Sequence, residues 1–180
     1  MRAVGMGQLL AQGNSGALEI LRTSACDSRW RMREGVAMAL QRLGDADMER
    51  LLNEMDRWSR GTFPEMRAAA AALCEPRLLK QTEHSKETLL ILDRITTSIM
   101  GAKNRKTDDF KALRKSMEYC WSVAVAANPD AGRSMMEHWF STRDNDIRWI
   151  MRENLKKKRL ERMNTAWVQD WRLRLERNEL

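Results

Sequence analysis

Proline, glycine and cysteine are all scarce in this chain, and each scarcity excludes something. Three Pro and nine Gly in 180 residues leave little material for turns. The glycine-rich phosphate loop, the dinucleotide fingerprint and the Gly-x-Ser-x-Gly nucleophile elbow are correspondingly absent from the sequence. The three cysteines, Cys26, Cys74 and Cys120, lie far apart, and no Cys or His pair has metal-ligand spacing: the two histidines are His84 and His138. No metal and no cofactor is expected, and the cysteine usage predicts a reducing compartment. No apolar run approaches the roughly 18 residues a membrane-spanning helix needs. Residues 1–16 contain Gly and Gln where a secretory signal would need unbroken apolar residues, so the expected location is the cytoplasm.

What remains is a helix-forming composition. Ala, Leu, Met, Arg and Glu dominate, and all favour helices. Charged residues make up 32% of the chain against 43% hydrophobic, with a mean hydropathy of -0.61. That balance describes a folded all-α protein and neither a membrane protein nor a disordered tail. Lys plus Arg exceed Asp plus Glu, 32 to 25, for a net charge of +7, which points to an anionic partner.

Apolar residues recur at helical spacing. Met48, Leu51, Leu52, Met55 and Trp58 form one stripe; Met32, Val36, Ala39, Leu40 and Leu43 form another, with Gly44-Asp45 read as a C-cap followed by a new N-cap. Phe110, Leu113, Met117, Cys120, Trp121 and Ala124 repeat the pattern before Asn128-Pro129 ends it. Further helices are expected near 14–25, 63–79, 85–101, 129–141, 146–161 and 163–177. The five alanines Ala68 to Ala72 predict a smooth helix that lets its neighbours approach closely. Burial in its apolar helix is expected to keep the Cys120 thiol protonated and inert.

An internal repeat organises these helices. Arg29-Trp30-Arg31-Met32-Arg33-Glu34 and Arg148-Trp149-Ile150-Met151-Arg152-Glu153 match at five of six positions. Looser copies at Met66-Arg67 and Leu113-Arg114 extend the series to Arg33, Arg67, Arg114 and Arg152, at intervals of 34, 47 and 38 residues. Those are solenoid periods. An Asp stands six residues before three of these arginines, at Asp27, Asp108 and Asp146, with Gly61 in that place in the second copy. An Asp near a helix start can accept from unsatisfied amides, and an Arg in the second turn can reach a neighbouring unit's carboxylate or carbonyl. The longest interval, containing residues 101–109, implies a longer loop in one unit.

On these motifs, over roughly residues 14–162 and most strongly over the stretch RMREGVAMALQRLGD, the chain resembles the HEAT-like α-α solenoid repeat proteins of bacterial type. The resemblance implies an α-α superhelix of nine to ten helices in four to five pairs, with the second helix of each pair lining a concave side. The whole of 1–180 is then one domain, with 1–13 as an N-terminal segment and 163–180 as a C-terminal capping helix closed by Trp167 and Trp171.

Two readings of the charged residues follow. On an uninterrupted helix after Asp146, Arg148, Arg152, Lys156 and Arg159 would form a basic stripe; Arg29 and Arg33, Arg67, and Lys111 and Arg114 would continue it along the concavity. Such a groove suits an acidic protein or a phosphate backbone. The alternative is that the repeat arginines bind neighbouring units and the lysine run is a solvated helix end. Trp30 and Trp149 could stack on a base or pack between units. The Met135-Met136, Trp139 and Phe140 set spreads over more than one face and could expose a partner-binding patch.

Some HEAT-like proteins are alkylpurine DNA glycosylases, to which the chain is distantly similar. That resemblance implies a carboxylate beside Trp and Arg on the concave side, for which the candidates are Asp146 with Trp149 and Arg152. Asp146 also has a structural explanation as a repeat Asp and helix cap. The expected function is a non-catalytic binding scaffold; base excision from alkylated DNA is the alternative.

Overall fold

The computed structural model describes residues 6, 7, 9, 10 and 16–177. Most of the expected N-terminal segment 1–13 lies outside them, although Leu10 is fully buried and its carbonyl accepts from Arg50 at 3.2 Å. Among the described residues there is no strand. The fold is all-α. Its helices are α1 (Gly16–Ala25), α2 (Trp30–Ala46), α3 (Met48–Trp58), α4 (Phe63–Leu73), α5 (Thr82–Met100), α6 (Asp108–Ala127), α7 (Pro129–Phe140), α8 (Asn145–Leu155), α9 (Lys158–Met163) and α10 (Thr165–Arg177).

Local chemistry sets most boundaries. Asp47 accepts from the Arg50 amide to start α3, Thr107 from Phe110 to start α6, and Asp144 from both Asp146 and Ile147 to start α8. Ahead of α4, the Glu65 carboxylate reaches back to the Thr62 amide and hydroxyl and also accepts from Arg22 of α1. Burial works against that carboxylate's charge, but these hydrogen bonds hold its pKa below the usual range.

Three expected boundaries are corrected. Helix α2 runs through Gly44 and Asp45 to Ala46, and the N-cap of α3 is Asp47. Gly44 serves close packing: a Cβ there would meet Leu51 Cδ2 at 2.7 Å and Leu78 Cδ1 at 3.0 Å. The helix expected over 63–79 stops at Leu73, and Pro76–Leu78 forms a separate 3₁₀ turn, because Pro76 disfavours a helical conformation at the preceding residue. The helix expected over 146–161 divides at Lys156 and Lys157. Leu160 lies nine residues after Met151, about half a turn round a straight helix. Both are fully buried, so the chain must turn between them.

The helices pack in two rows. Helix α2 contacts α4, α4 contacts α6, and α6 contacts α8; on the other side α3 contacts α5 and α5 contacts α7. Each of α1 to α8 also packs on the helix that follows it, and the turn at Pro76 packs on α2 and α6. One contiguous apolar core runs from Leu10 to Leu175.

The alanine run behaves as its small side chains require. Ala68 to Ala72 are all buried, and α4 lies between α2 and α6, with Gln41 of α2 donating to Ala71 O at 3.1 Å. Helix α7 approaches α6 just as closely at Gly132, where a Cβ would meet Val125 Cα at 2.6 Å. Trp58 and Trp121 are core residues, and the Trp121 indole donates to Thr96 Oγ1 at 3.0 Å.

The Met135 to Phe140 set is not an exposed patch. Met136, Trp139 and Phe140 are buried; Trp139 donates to Asp93 at 2.8 Å. Phe140 receives the rings of Trp167 and Trp171, at centroid distances of 5.9 and 4.5 Å. Both tryptophans donate to Glu137 Oε1, so α10 docks on α7 through aromatic contact and a shared acceptor.

Candidate binding surface

The repeat arginines all have partners. Arg33 donates to the carbonyls of Asp27 and Ser28, both at 2.9 Å, closing its own α1–α2 loop. Arg67 of α4 pairs with Glu34 of α2. Arg114 of α6 pairs with Asp146 of α8 at 2.7 Å, and Arg152 of α8 donates to Leu175 O of α10 at 2.7 Å. Three of the four therefore tie one helix to another helix of the rows or to α10.

The repeat aspartates do not cap. Thr107 and Asp144 take that role one and two residues before Asp108 and Asp146. Asp27 instead holds Arg29 through its amide at 2.8 Å and its guanidinium at 2.9 and 2.7 Å, and that pairing lowers the Asp27 pKa to about 2.

Asp146 is the hub of the α6–α8 junction. Its Oδ1 faces Arg114, and its Oδ2 accepts from Arg105 Nη1 at 2.9 Å. Arg105 also pairs with Asp144 at 2.6 Å and donates to Met100 O at 2.7 Å and Ala102 O at 3.3 Å. This one side chain fastens the loop of residues 101–107 to the start of α8. Burial opposes the charge of Asp144, but the Arg105 hydrogen bond and two backbone amides hold its pKa below the ordinary carboxylate range.

The Arg114 guanidinium lies 3.8 Å from the centroid of the Trp149 ring, a cation–π contact that joins Trp149 and Asp146 through a single arginine. The candidate carboxylate, aromatic and cation are thus contiguous, with Arg114 in the place expected for Arg152. Arg152 donates to the Leu175 carbonyl instead of pairing with Asp146.

Sequence reasoning missed Arg105 and Asn154. The 47-residue interval marked the loop that holds Arg105, but nothing separates it from its basic neighbours Lys103 and Lys106. Asn154 is wholly buried; it donates to Met117 O and Ile150 O and accepts from the Ser122 amide, each at 2.8 Å. A polar amide inside the apolar positions Ile150, Met151 and Leu155 was the available signal.

The expected basic stripe is broken, because Arg159 belongs to α9 while Arg148, Arg152 and Lys156 belong to α8 and its C-cap. Arg148 is half-buried. Lys111 pairs with Asp108 at 3.3 Å and Lys156 with Glu153 at 2.5 Å. Lys157 at the N-cap of α9, and Lys158, Arg159 and Arg162 within that helix, make no ion pair to a described carboxylate. Trp30 is 62% exposed at the start of α2, with the Arg31 guanidinium 5.6 Å from its ring.

A groove of about 370 Å³ opens between α8 and α10, next to the basic turn. Trp149 and the buried Leu155 and Leu175 give it apolar lining, and Arg152, Lys156, Arg172, Glu153 and Glu176 give it charged lining.

Two of the three thiols lie inside the fold, and Cys26 is exposed. Cys74 and Cys120 are buried, and burial, then the neighbouring Cys120 thiol, pushes the Cys74 pKa well up. Among the described residues no group of three or more His, Cys, Asp or Glu is placed to hold a metal ion. No helix of the described residues is long and apolar enough to cross a membrane. No known protein family, no curated protein and no solved structure matches this chain.

Proposed function

We propose that this chain is a short HEAT-like α-α superhelix acting in the cytoplasm as a non-catalytic binding scaffold for an acidic protein partner. The observation that carries this reading is the division of labour among its cations. The repeat arginines Arg33, Arg67, Arg114 and Arg152 are bonded within the chain, whereas Lys157, Lys158, Arg159 and Arg162 stand together without carboxylate partners. These cations run from Lys157, the N-cap of α9, to Arg162 in its last turn, and outnumber Glu161 among them, so their net positive charge attracts an external anion. The bonded arginines make the scaffold rigid; the unbonded cations give it something to bind.

A nucleic-acid reading, with excision of alkylated bases as its catalytic form, draws on the contiguity of Asp146, Arg114 and Trp149. Against a catalytic Asp146 stands its pairing to two guanidinium groups, which neutralise the charge that would stabilise a cationic sugar.

Titrations of an acidic peptide, duplex DNA and single-stranded DNA at low salt test the proposal. Peptide binding that exceeds both DNA forms supports it. Tighter DNA binding with a steep salt dependence moves the assignment to nucleic acid, and no binding of any polyanion removes the scaffold reading.

A further inference from the structure

The groove between α8 and α10 is built by two arginines that cap each other's helices. Arg152 of α8 donates to Leu175 O in the last turn of α10 at 2.7 Å, and Arg172 of α10 donates to Leu155 O at the end of α8 at 2.6 Å. Carbonyls of a last helical turn are short of helical donors, and each guanidinium supplies one. The reciprocal clamp joins the two helices, and both arginines line the groove between them.

The lining is apolar with charged edges. The Trp149 ring and the aliphatic stems of Arg152, Lys156 and Arg172 provide hydrocarbon surface over the buried Leu155 and Leu175. Arg114 and Lys115 stand against the Trp149 ring, which fixes its position. Lys156 pairs with Glu153, and Glu161 stands 3.9 Å from Arg172, whereas Arg152 bonds to a carbonyl and no carboxylate. The lining's three cations, Arg152, Lys156 and Arg172, exceed its two carboxylates, Glu153 and Glu176, by one; Glu161 stands beside Arg172, and the positive surplus comes from Lys157, Lys158, Arg159 and Arg162 next to the groove.

From these features we infer that the α8–α10 groove docks an acidic peptide segment of a partner protein, anchored by an apolar side chain against Trp149. The inference rests on the scaffold reading and names its partner's chemistry. The volume, about 370 Å³, falls at the small end of the roughly 300–1,000 Å³ range of ligand sites. That fits one or two apolar side chains. The lining carboxylates Glu153 and Glu176 suit a peptide better than a phosphate backbone: they accept hydrogen bonds from peptide amides, whereas a phosphodiester offers them no donor. Acidic residues flanking the anchor then reach Lys156, Lys158 and Arg159.

Fluorescence anisotropy with three probes tests this assignment: a labelled decapeptide of Glu and Asp flanking two Leu, the same peptide with Ser in place of Leu, and a single-stranded oligothymidylate. The leucine peptide is expected to bind at least about tenfold more tightly than the serine peptide, and Trp149→Ala is expected to abolish that difference. Lys156→Glu, an exposed change that leaves the core intact, should weaken both peptides severalfold. Equal binding of the two peptides, or a leucine preference that survives in folded Trp149→Ala, overturns the groove. If both peptides still bind in a salt-dependent way, the groove fails while the scaffold reading stands. If neither peptide binds, both fail; displacement of the leucine peptide by lower concentrations of oligothymidylate reassigns the groove to nucleic acid.

Discussion

The side-chain oxygen of Asn154 accepts the backbone amide of Ser122 at 2.8 Å, in the middle of a neighbouring helix. The same residue donates to Met117 O, so one amide reaches into the backbone ladder of α6 on both sides of a turn. All three of its hydrogen bonds are buried. Asn154→Ala should cost about 2–4 kcal/mol, because it strands a buried donor and acceptor. Asn154→Asp should cost more, since a carboxylate cannot donate to Met117 or Ile150. Urea denaturation checks both; a loss below about 0.5 kcal/mol for Asn154→Ala would contradict the assignment.

Asp146 makes a second testable joint. Removing its charge with Asp146→Asn weakens the contacts to Arg105 and Arg114 together, and a loss of about 1–3 kcal/mol is expected for this partly buried network. Arg105→Ala should cost a similar amount, and the double variant should cost less than the two losses combined, because both act on one junction. The same Asp146→Asn protein decides the catalytic alternative. The scaffold account expects no free base from alkylated DNA with the native chain; release that folded Asp146→Asn loses would establish a glycosylase.

Acid should destabilise the fold in a defined direction. The pKa values of Glu65 and Asp144 are depressed in the folded chain, and that of Asp27 falls to about 2. The unfolded chain therefore takes up protons first as pH falls. The stabilisation is fully present above the ordinary carboxylate range near pH 4 and is lost as pH drops through the lower folded values. Urea midpoints at pH 7 and at about pH 3 should differ, and Asp144→Asn should reduce the difference. Equal midpoints at the two values would show that these pairs do not stabilise the fold.

Helical periodicity was legible because it follows from the backbone. Met48, Leu51, Leu52, Met55 and Trp58 recur at helical spacing, and all five are buried. The alanine run was equally readable, since only close packing suits five consecutive methyl groups. The break at Lys156 was not: a basic run is compatible with a continuing helix, and only the burial of Leu160 in the assembled core bends the chain there. The partners of the repeat arginines were open for a related reason. Position in a repeat puts Arg114 on the correct helix, but its stacking on Trp149 and its pairing with Asp146 depend on how α6 and α8 meet. Arg105 lies in a loop with no periodicity at all, so nothing local distinguished it from Lys103 or Lys106.

The most direct measurement of the central claim is the affinity of the native chain and of Lys158→Glu/Arg159→Glu for polyglutamate, at about 50 mM and about 200 mM salt. Both substituted residues are exposed and lie outside the core, so the variant should keep the native melting temperature. The account predicts binding by the native chain that weakens with salt, and a loss of at least tenfold in the variant at low salt. Unchanged affinity in the variant, or no binding by the native chain at low salt, would contradict it.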